Sequence, residues 1–160
     1  MNRKIIKPTS FGPVALMWSV LDGSPKIFRV LLSKPGSSSV DQAAALFPDS
    51  QPASCASMDS IAKAICDFLA GQDVVFELGV EALETRPAFQ QAVLRAEHGI
   101  PRGSVSTYGL IARHLGDRNA ARAVGNALAT NPFPLIVPCH RAVRSDGELG
   151  GFQGGPKMKR

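Results

Sequence analysis

The sequence predicts an α/β fold in two parts: a small N-terminal α/β domain at residues 1–83 and a mostly helical C-terminal domain at residues 84–160. Strand-like apolar runs occur early in the chain, and apolar residues at helical spacing dominate later. Residues 1–85 hold 7 basic and 9 acidic side chains, whereas residues 86–160 hold 11 and 4. The net charge of +5 therefore comes from the C-terminal half. Such asymmetry is typical of a polyanion-binding segment, although small basic domains are also common.

Composition excludes several classes of protein. Hydrophobic residues make up 44% of the 160 residues, enough for a buried core, but no stretch approaches the ~20 apolar residues of a membrane span. No long apolar region follows the charged N-terminus, as a secretory signal requires. The three cysteines, Cys55, Cys66 and Cys139, lack Cys-x-x-Cys spacing, which indicates free thiols and no zinc site. We expect a protein of the cytoplasm, or of the nucleus in a eukaryotic source, that does not enter a membrane.

In the N-terminal domain, apolar runs between turn residues predict strands, and apolar residues three and four apart predict helices. None of these elements carries residues typical of catalysis. The predicted elements are, in order, a strand at residues 14–21, a turn at 22–25, a returning strand at 26–32, a short helix at 41–46, a connector at 47–58, a helix capped by Asp59 or Ser60 and ended by Gly71, and a short strand at 74–76.

Three helices are predicted in the C-terminal domain. The first begins at Thr85-Arg86-Pro87, because a possible cap followed by Pro is typical of a first helical turn. The second, at residues 108–115, is capped by Ser106 or Thr107 and ends at Gly116. Apolar spacing gives the expected buried faces, which are Phe89, Ala92, Val93 and Ala96 on the first helix and Leu110, Ile111 and Leu115 on the second.

The third predicted helix, at residues 120–129, follows the second after a tight turn, which is the pattern of a winged-helix-like helix-turn-helix. An ordinary αα corner is the alternative. Almost all residues of the third helix are small, so it can approach another surface closely. It also carries one arginine in its first turns, and it leads directly into the segment at residues 131–143. These features favour a nucleic-acid interface.

The segment at residues 131–143 carries the clearest chemistry. Its apolar residues 135–137 predict a short buried strand, which Pro138 ends because it has no backbone donor. A thiol then stands beside an imidazole and a guanidinium, Cys139-His140-Arg141. Cationic neighbours favour the nucleophilic thiolate, whereas burial opposes it, so His140 is the nearest candidate partner. The alternative is a core cysteine with a chance histidine beside it.

Residues 137–143 read Val-Pro-Cys-His-Arg-Ala-Val, which resembles the active-site signature of the O6-alkylguanine-DNA alkyltransferases. Ala142 is smaller than the branched residue usual there. The order upstream, with Phe-Gln in a helix, then Ile-Pro-x-Gly, then Ser/Thr-Tyr, is also similar to that family. The resemblance covers residues 84–155. It implies direct repair of O6-alkylguanine, and of O4-alkylthymine, by irreversible single-turnover transfer of the alkyl group to Cys139, with no cofactor and no catalytic metal.

The resemblance implies a role for each matching residue. Tyr108 would crowd the phosphate 3′ to the target and help rotate the nucleotide out of the duplex. Arg122 would enter the base stack and pair with the orphaned base, the alternatives being a phosphate contact or a solvated helix charge. Asn131 would be a hinge between helix and active site, or a helix cap. His140 would accept the thiol proton through a water, as a general base, the alternative being a satisfied core histidine. Arg141 would be structural or face phosphate.

The remaining site residues follow from the same resemblance. The glycine-rich stretch at residues 144–155 would wall the base pocket, the alternative being a flexible surface loop. Phe152 would pack on the purine where many members have Tyr, and Gln153 stands where many have Ser. The expected DNA-binding residues are Tyr108, Arg122, Ala123, Gly125 and Arg141, and the expected pocket and hinge residues are Asn131, Pro138, Val143, Phe152, Gln153 and Gly154.

The resemblance leaves other interpretations of the activity open. No residue matches the glutamate that a further C-terminal helix carries in the family, either because the sequence is truncated or because it ends short. In the latter case the thiolate would be less stabilised and transfer slower. The rival functions are a non-catalytic alkyltransferase-like lesion binder, which Cys139 argues against, and a thiol hydrolase, which lacks an evident third residue. The expected partner is double-stranded DNA carrying O6-alkylguanine, bound by a monomer.

Overall fold

In the computed structural model, which describes residues 1–6 and 9–160, the chain divides into two units, Met1–Ala82 and Leu83–Arg160. The first unit is α/β and the second is mainly helical, which confirms the predicted fold class. Among the described residues, no helix is both long and apolar enough to cross a membrane.

A four-stranded sheet forms the base of the first unit. Its strands are β1 (Asn2–Ile6), β2 (Val14–Leu21), β3 (Ser24–Leu32) and β4 (Gln51–Pro52), and their order across the sheet is β3-β2-β1-β4. The pairs β1–β2 and β2–β3 are antiparallel, and β1–β4 is parallel. The hairpin of β2 and β3 confirms the prediction.

Positive φ angles at its two central residues make the turn of this hairpin tight. Asp22 and Gly23 both have positive φ, +49° and +76°, which matches the handedness of the strand twist in a two-residue turn. The strand β1 was not predicted, because its residues Asn-Arg-Lys-Ile-Ile do not alternate and only Ile6 is fully buried. The strand expected at residues 74–76 is wrong: Val75 is 79% exposed, and this stretch pairs with no strand.

Two helices complete the first unit. Helix α1 (Ser39–Leu46) begins at a cap in which the Ser38 hydroxyl accepts from the Asp41 N–H at 3.1 Å. Helix α2 (Ala56–Leu69) begins after Cys55, several residues before the cap expected at residue 59 or 60. Cys55 occupies the N-cap position but makes no side-chain capping bond, so this helix begins without the polar cap that the sequence predicts.

The second unit is built on three helices, α3 (Ala88–His98), α4 (Tyr108–His114) and α5 (Ala121–Ala129), with α3 and α4 each packed on α5. A two-stranded parallel pair, β5 (Ser106–Thr107) and β6 (Ala142–Val143), and a short helix α6 (Pro156–Lys159) complete it. Thr107 caps α4, since its hydroxyl accepts from the Leu110 N–H at 3.2 Å, as predicted.

The buried faces of these helices differ in part from the predicted ones. On α3 the buried residues are Val93, Leu94 and Glu97, whereas Phe89 is 44% exposed. The buried face of α3 is rotated by about one residue from the predicted buried face: Leu94 is buried, whereas Ala92 and Ala96 are only partly buried. On α4 the buried residues are Ile111 and Ala112, and Leu110 is exposed.

Candidate active site

Residues 131–138, here called the asparagine loop, are buried throughout, but they do not form the strand predicted at 135–137. The chain turns tightly instead: the Val137 N–H donates to the Phe133 carbonyl at 2.8 Å. Leu135 has φ +75°, a left-handed conformation that is uncommon for a branched residue. Three prolines in this short segment remove the N–H donors that a sheet ladder needs, which is why the apolar run folds back on itself.

The side chain of Asn131 holds this loop together. Asn131 is fully buried; its Oδ1 accepts from the Phe133 N–H at 2.9 Å, and its Nδ2 donates to the Val137 carbonyl at 3.2 Å. The Asn131 backbone carbonyl accepts from the side chain of Gln153. One side chain therefore joins both ends of the loop that delivers the chain to Cys139.

Cys139 begins a 3-10 turn, Cys139–Arg141, which we call the cysteine turn, and is only 6% exposed. Burial raises the pKa of the thiol to about 11. A hydrogen bond from the Asn131 side chain and the charge of Lys159 lower the thiol pKa, and the charge of Glu97 raises it. The thiol is thus protonated at neutral pH, and its ionisation depends on Asn131, Lys159 and Glu97.

His140 is uncharged at neutral pH. Burial, followed by the charges of Arg141 and Lys159, lowers the pKa of its imidazole to about 4. The imidazole meets the Phe152 ring edge to face, with 6.0 Å between ring centroids. Phe152 thus contacts a residue of the cysteine turn.

Tyr108 is brought to the same site by backbone pairing. In the β5–β6 pair, Ser106 lies opposite Ala142 and Thr107 opposite Val143, so α4 starts directly beside the chain that leaves the cysteine turn. Burial is the largest cause that raises the Tyr108 pKa, followed by the charges of Glu97 and Cys139.

The glycine-rich stretch at residues 144–155 is folded against α6. A Cβ atom at Gly150, whose φ is +65°, would lie 2.7 Å from the Tyr108 hydroxyl, and a Cβ atom at Gly154 would collide with the Met158 sulphur. Lys159 Nζ donates to the Gly151 carbonyl at 3.1 Å. These contacts favour a structured wall over a flexible surface loop.

The helix-turn-helix of α4 and α5 presents the predicted interface residues to solvent. Arg122 and Ala123 are exposed in the first turn of α5, and a Cβ atom at Gly125 would meet no atom within 4 Å. The surface of α5 therefore leaves room for a close partner. Arg141 is placed differently: its guanidinium donates to the Ile100 carbonyl at 2.6 Å and is partly buried, which supports the structural alternative for this residue.

Two buried charged residues of this site were not predicted. Glu97, on α3, is fully buried, and Lys159, on α6, is 6% exposed. A signal for Glu97 existed, because residue 97 follows Val93 and Leu94 by one helical turn and so lies on their face. A lysine four residues from the predicted glycine-rich stretch gave no such signal. The fold and site together define a two-unit α/β protein that joins a helix-turn-helix to a buried cysteine.

Comparison with known proteins makes the assignment specific. The family model of the 6-O-methylguanine DNA methyltransferase DNA-binding domain matches residues 88–160. A methylated-DNA–protein-cysteine methyltransferase of Methanothermobacter thermautotrophicus is 45% identical over 93 residues, and one of Salmonella typhimurium is 41% identical over 98. These alignments take in 58% and 59% of this chain but 52% and 55% of the relatives, so the chain matches only about half of each.

Solved structures cover the whole chain. The crystal structure of Mycobacterium tuberculosis OGT in complex with DNA superposes with a TM-score of 0.72 at 30% identity, over 100% of this chain and 89% of that one. An O6-methylguanine-DNA methyltransferase from Pyrococcus kodakaraensis, at 24% identity and a TM-score of 0.73, shows the same fold. The chain belongs to the O6-methylguanine-DNA methyltransferase family.

Proposed function

We propose that the protein repairs O6-alkylguanine in duplex DNA by transferring the alkyl group to Cys139. The observation that carries this proposal is the Cys139 thiol held by Asn131 within a segment that matches the family model. The named activity of the curated relatives and the DNA complex of the M. tuberculosis protein support it. O4-alkylthymine is a second expected substrate.

The thiol must lose its proton before it can react, since the thiolate is the nucleophile. With a thiol pKa of about 11, the thiolate at pH 7 costs about 5 kcal/mol. The neutral His140 imidazole accepts the proton through a water and passes it to solvent, because its own pKa of about 4 is too low to hold it. Asn131 and Lys159 stabilise the thiolate that remains.

The thiolate then attacks the alkyl carbon of the lesion. The S–C bond forms as the C–O6 bond breaks, and the electron pair stays on guanine O6, so the restored guanine takes up one proton. Nothing in this step removes the thioether from Cys139. Each molecule therefore acts once, and the protein is consumed with its substrate.

A base inside the duplex cannot reach a buried thiol, so the target must be flipped out of the stack. The exposed, small-residue surface of α5 suits close approach to DNA, with Arg122 filling the gap and Tyr108 rotating the nucleotide. Arg141 is assigned to the fold and not to DNA. The other expected contacts are Ala123 and Gly125 on α5, and Asn131, Pro138, Val143, Phe152, Gln153 and Gly154 around the base.

The test is the intact mass of the protein after incubation with duplex DNA that carries O6-methylguanine, followed by peptide mapping. We expect a gain of one methyl group on Cys139 that saturates at one per molecule. Undamaged duplex and the Cys139→Ser variant should give no gain. Retained lesion binding without methyl transfer would overturn the proposal in favour of a lesion binder, and turnover of a simple ester would favour a thiol hydrolase.

We further propose that the protein acts as a monomer in a reducing compartment, the cytoplasm or a eukaryotic nucleus. All three cysteines are free, which suits that environment.

A further inference from the structure

Glu97 is the one residue of the second unit whose burial the proposed reaction leaves unexplained. Its side chain is 0% exposed, and neither carboxylate oxygen has a hydrogen-bond partner among the described residues. The Ala142 N–H is close enough to favour the ionised form but does not reach hydrogen-bond geometry. An ionised carboxylate without partners is costly to bury, so the carboxyl group is expected to stay protonated.

The surroundings of Glu97 place it with the reactive thiol. Helix α3 packs against the cysteine turn, α4 and α5. The charge of Glu97 acts on the Cys139 thiol, and the charges of Arg141 and Lys159 act on Glu97. The titratable groups whose charges couple to Glu97 are Tyr108 on α4, Cys139 and Arg141 on the cysteine turn, and Lys159 on α6, whereas Arg95, Arg113, His114 and Arg122 are exposed.

Two potential anions therefore share few cations. Arg141 and Lys159 both lower the pKa of Glu97, and Lys159 is the cation that also lowers the pKa of Cys139. A second buried anion beside the first is disfavoured, because the two repel and share the counter-charge of Lys159. The thiolate of Cys139 and the carboxylate of Glu97 thus oppose each other.

We propose that Glu97 is a positioning residue of the alkyl-transfer site, which must be an uncharged acid when Cys139 forms its thiolate. This inference rests on the proposed function for its biological meaning, although the opposition of the two groups exists without DNA. Glu97 neither gives nor takes a proton in the net reaction: the thiol proton leaves through His140, and the proton on the Glu97 carboxyl stays in place.

The pH dependence follows from the burial of Glu97. Burial raises the pKa of this carboxyl to about 8. Below that pH the group is neutral, and the thiolate fraction of Cys139 increases tenfold per pH unit, as for any thiol below its pKa. Above it the carboxylate forms first and opposes the thiolate, so the gain per unit pH becomes smaller.

The experiment measures Cys139 alkylation by iodoacetamide from pH 6.5 to 9.5, by peptide mapping, with Cys55 and Cys66 as internal references. Wild type is compared with Glu97→Gln, which keeps the shape of the neutral acid, and with Glu84→Gln, an exposed acidic residue of the same unit outside the site, as the matched control. At pH 7 the three proteins should agree within about twofold. At pH 9.5 Glu97→Gln should react about tenfold faster, the effect of about one pKa unit on the thiol.

Parallel pH profiles for wild type and Glu97→Gln would overturn the inference, because a purely structural Glu97 would not change their slope. Should the variant fail to fold, the carboxyl carbon of Glu97 can be titrated by NMR in the labelled wild-type protein. A midpoint near 8 is expected, and a midpoint near that of an ordinary glutamate would refute the inference. No DNA is used, so failure here is distinguishable from failure of methyl transfer.

Discussion

The asparagine loop offers the sharpest test of how the site is built, through Asn131→Ala. The change removes the acceptor of the Phe133 N–H and the donor to the Val137 carbonyl, and both of those backbone groups are in residues that are fully buried. Each unsatisfied buried group costs about 1–3 kcal/mol, so we expect a loss of about 2–5 kcal/mol in the free energy of unfolding. Typical domains have only about 5–15 kcal/mol in total.

Urea unfolding followed by circular dichroism measures this loss. Asn126→Ala, an exposed asparagine on α5, is the matched control and should not destabilise the protein. Asn131→Asp separates the two functions of the side chain, because it keeps the acceptor for Phe133 but loses the donor and adds a negative charge near the thiol. It should slow Cys139 alkylation more than its stability loss explains. A loss below about 1 kcal/mol in Asn131→Ala would refute the conclusion that the Asn131 side chain holds the asparagine loop together.

Three further outcomes can be measured with the same assays. Arg122→Ala should reduce the rate of methyl transfer more than the affinity for undamaged duplex, and equal losses would reduce this residue to a phosphate contact. Gly125→Ala should raise stability by up to about 1 kcal/mol, because it improves helix propensity in open space, and should weaken DNA binding; unchanged binding would place DNA elsewhere. His140 has a pKa below its unfolded value, so the unfolded state binds more protons, and stability should fall by up to roughly 3 kcal/mol as pH drops from about 6.5 to 4. His140→Gln should flatten this fall in acid unfolding curves, and an unchanged curve would show that His140 is not the cause.

How far the sequence predicts this protein depends on the kind of signal. Regular periodicity located β2, β3 and the helices α3, α4 and α5, because strands and helices repeat every two and 3.6 residues, but α6 was not predicted. It failed for β1, whose polar residues pair through the backbone. It also failed for residues 135–137, where an apolar run looked like a strand and the prolines made a loop.

The chemistry of the site was predictable in part for a similar reason. Cys139 and His140 are adjacent in the sequence, so a short motif is enough to identify them as candidate site residues. Glu97 and Lys159 influence the thiol only through tertiary structure: α3 packs on the cysteine turn, and α6 places the Lys159 charge where it lowers the thiol pKa. A single charged residue on a helix is ordinarily solvated, and no local pattern distinguishes the buried one.

The parallel pairing of β5 with β6 affects how the exposed surface of α4 and α5 can evolve. Backbone pairing joins the two residues before α4 to the two residues after the cysteine turn, so main-chain geometry fixes where α4 begins relative to Cys139. Exposed side chains on α4 and α5 can therefore change without moving the thiol. Under the proposed function, preference for one DNA sequence over another would then change by surface substitution while Cys139 keeps its position relative to α4.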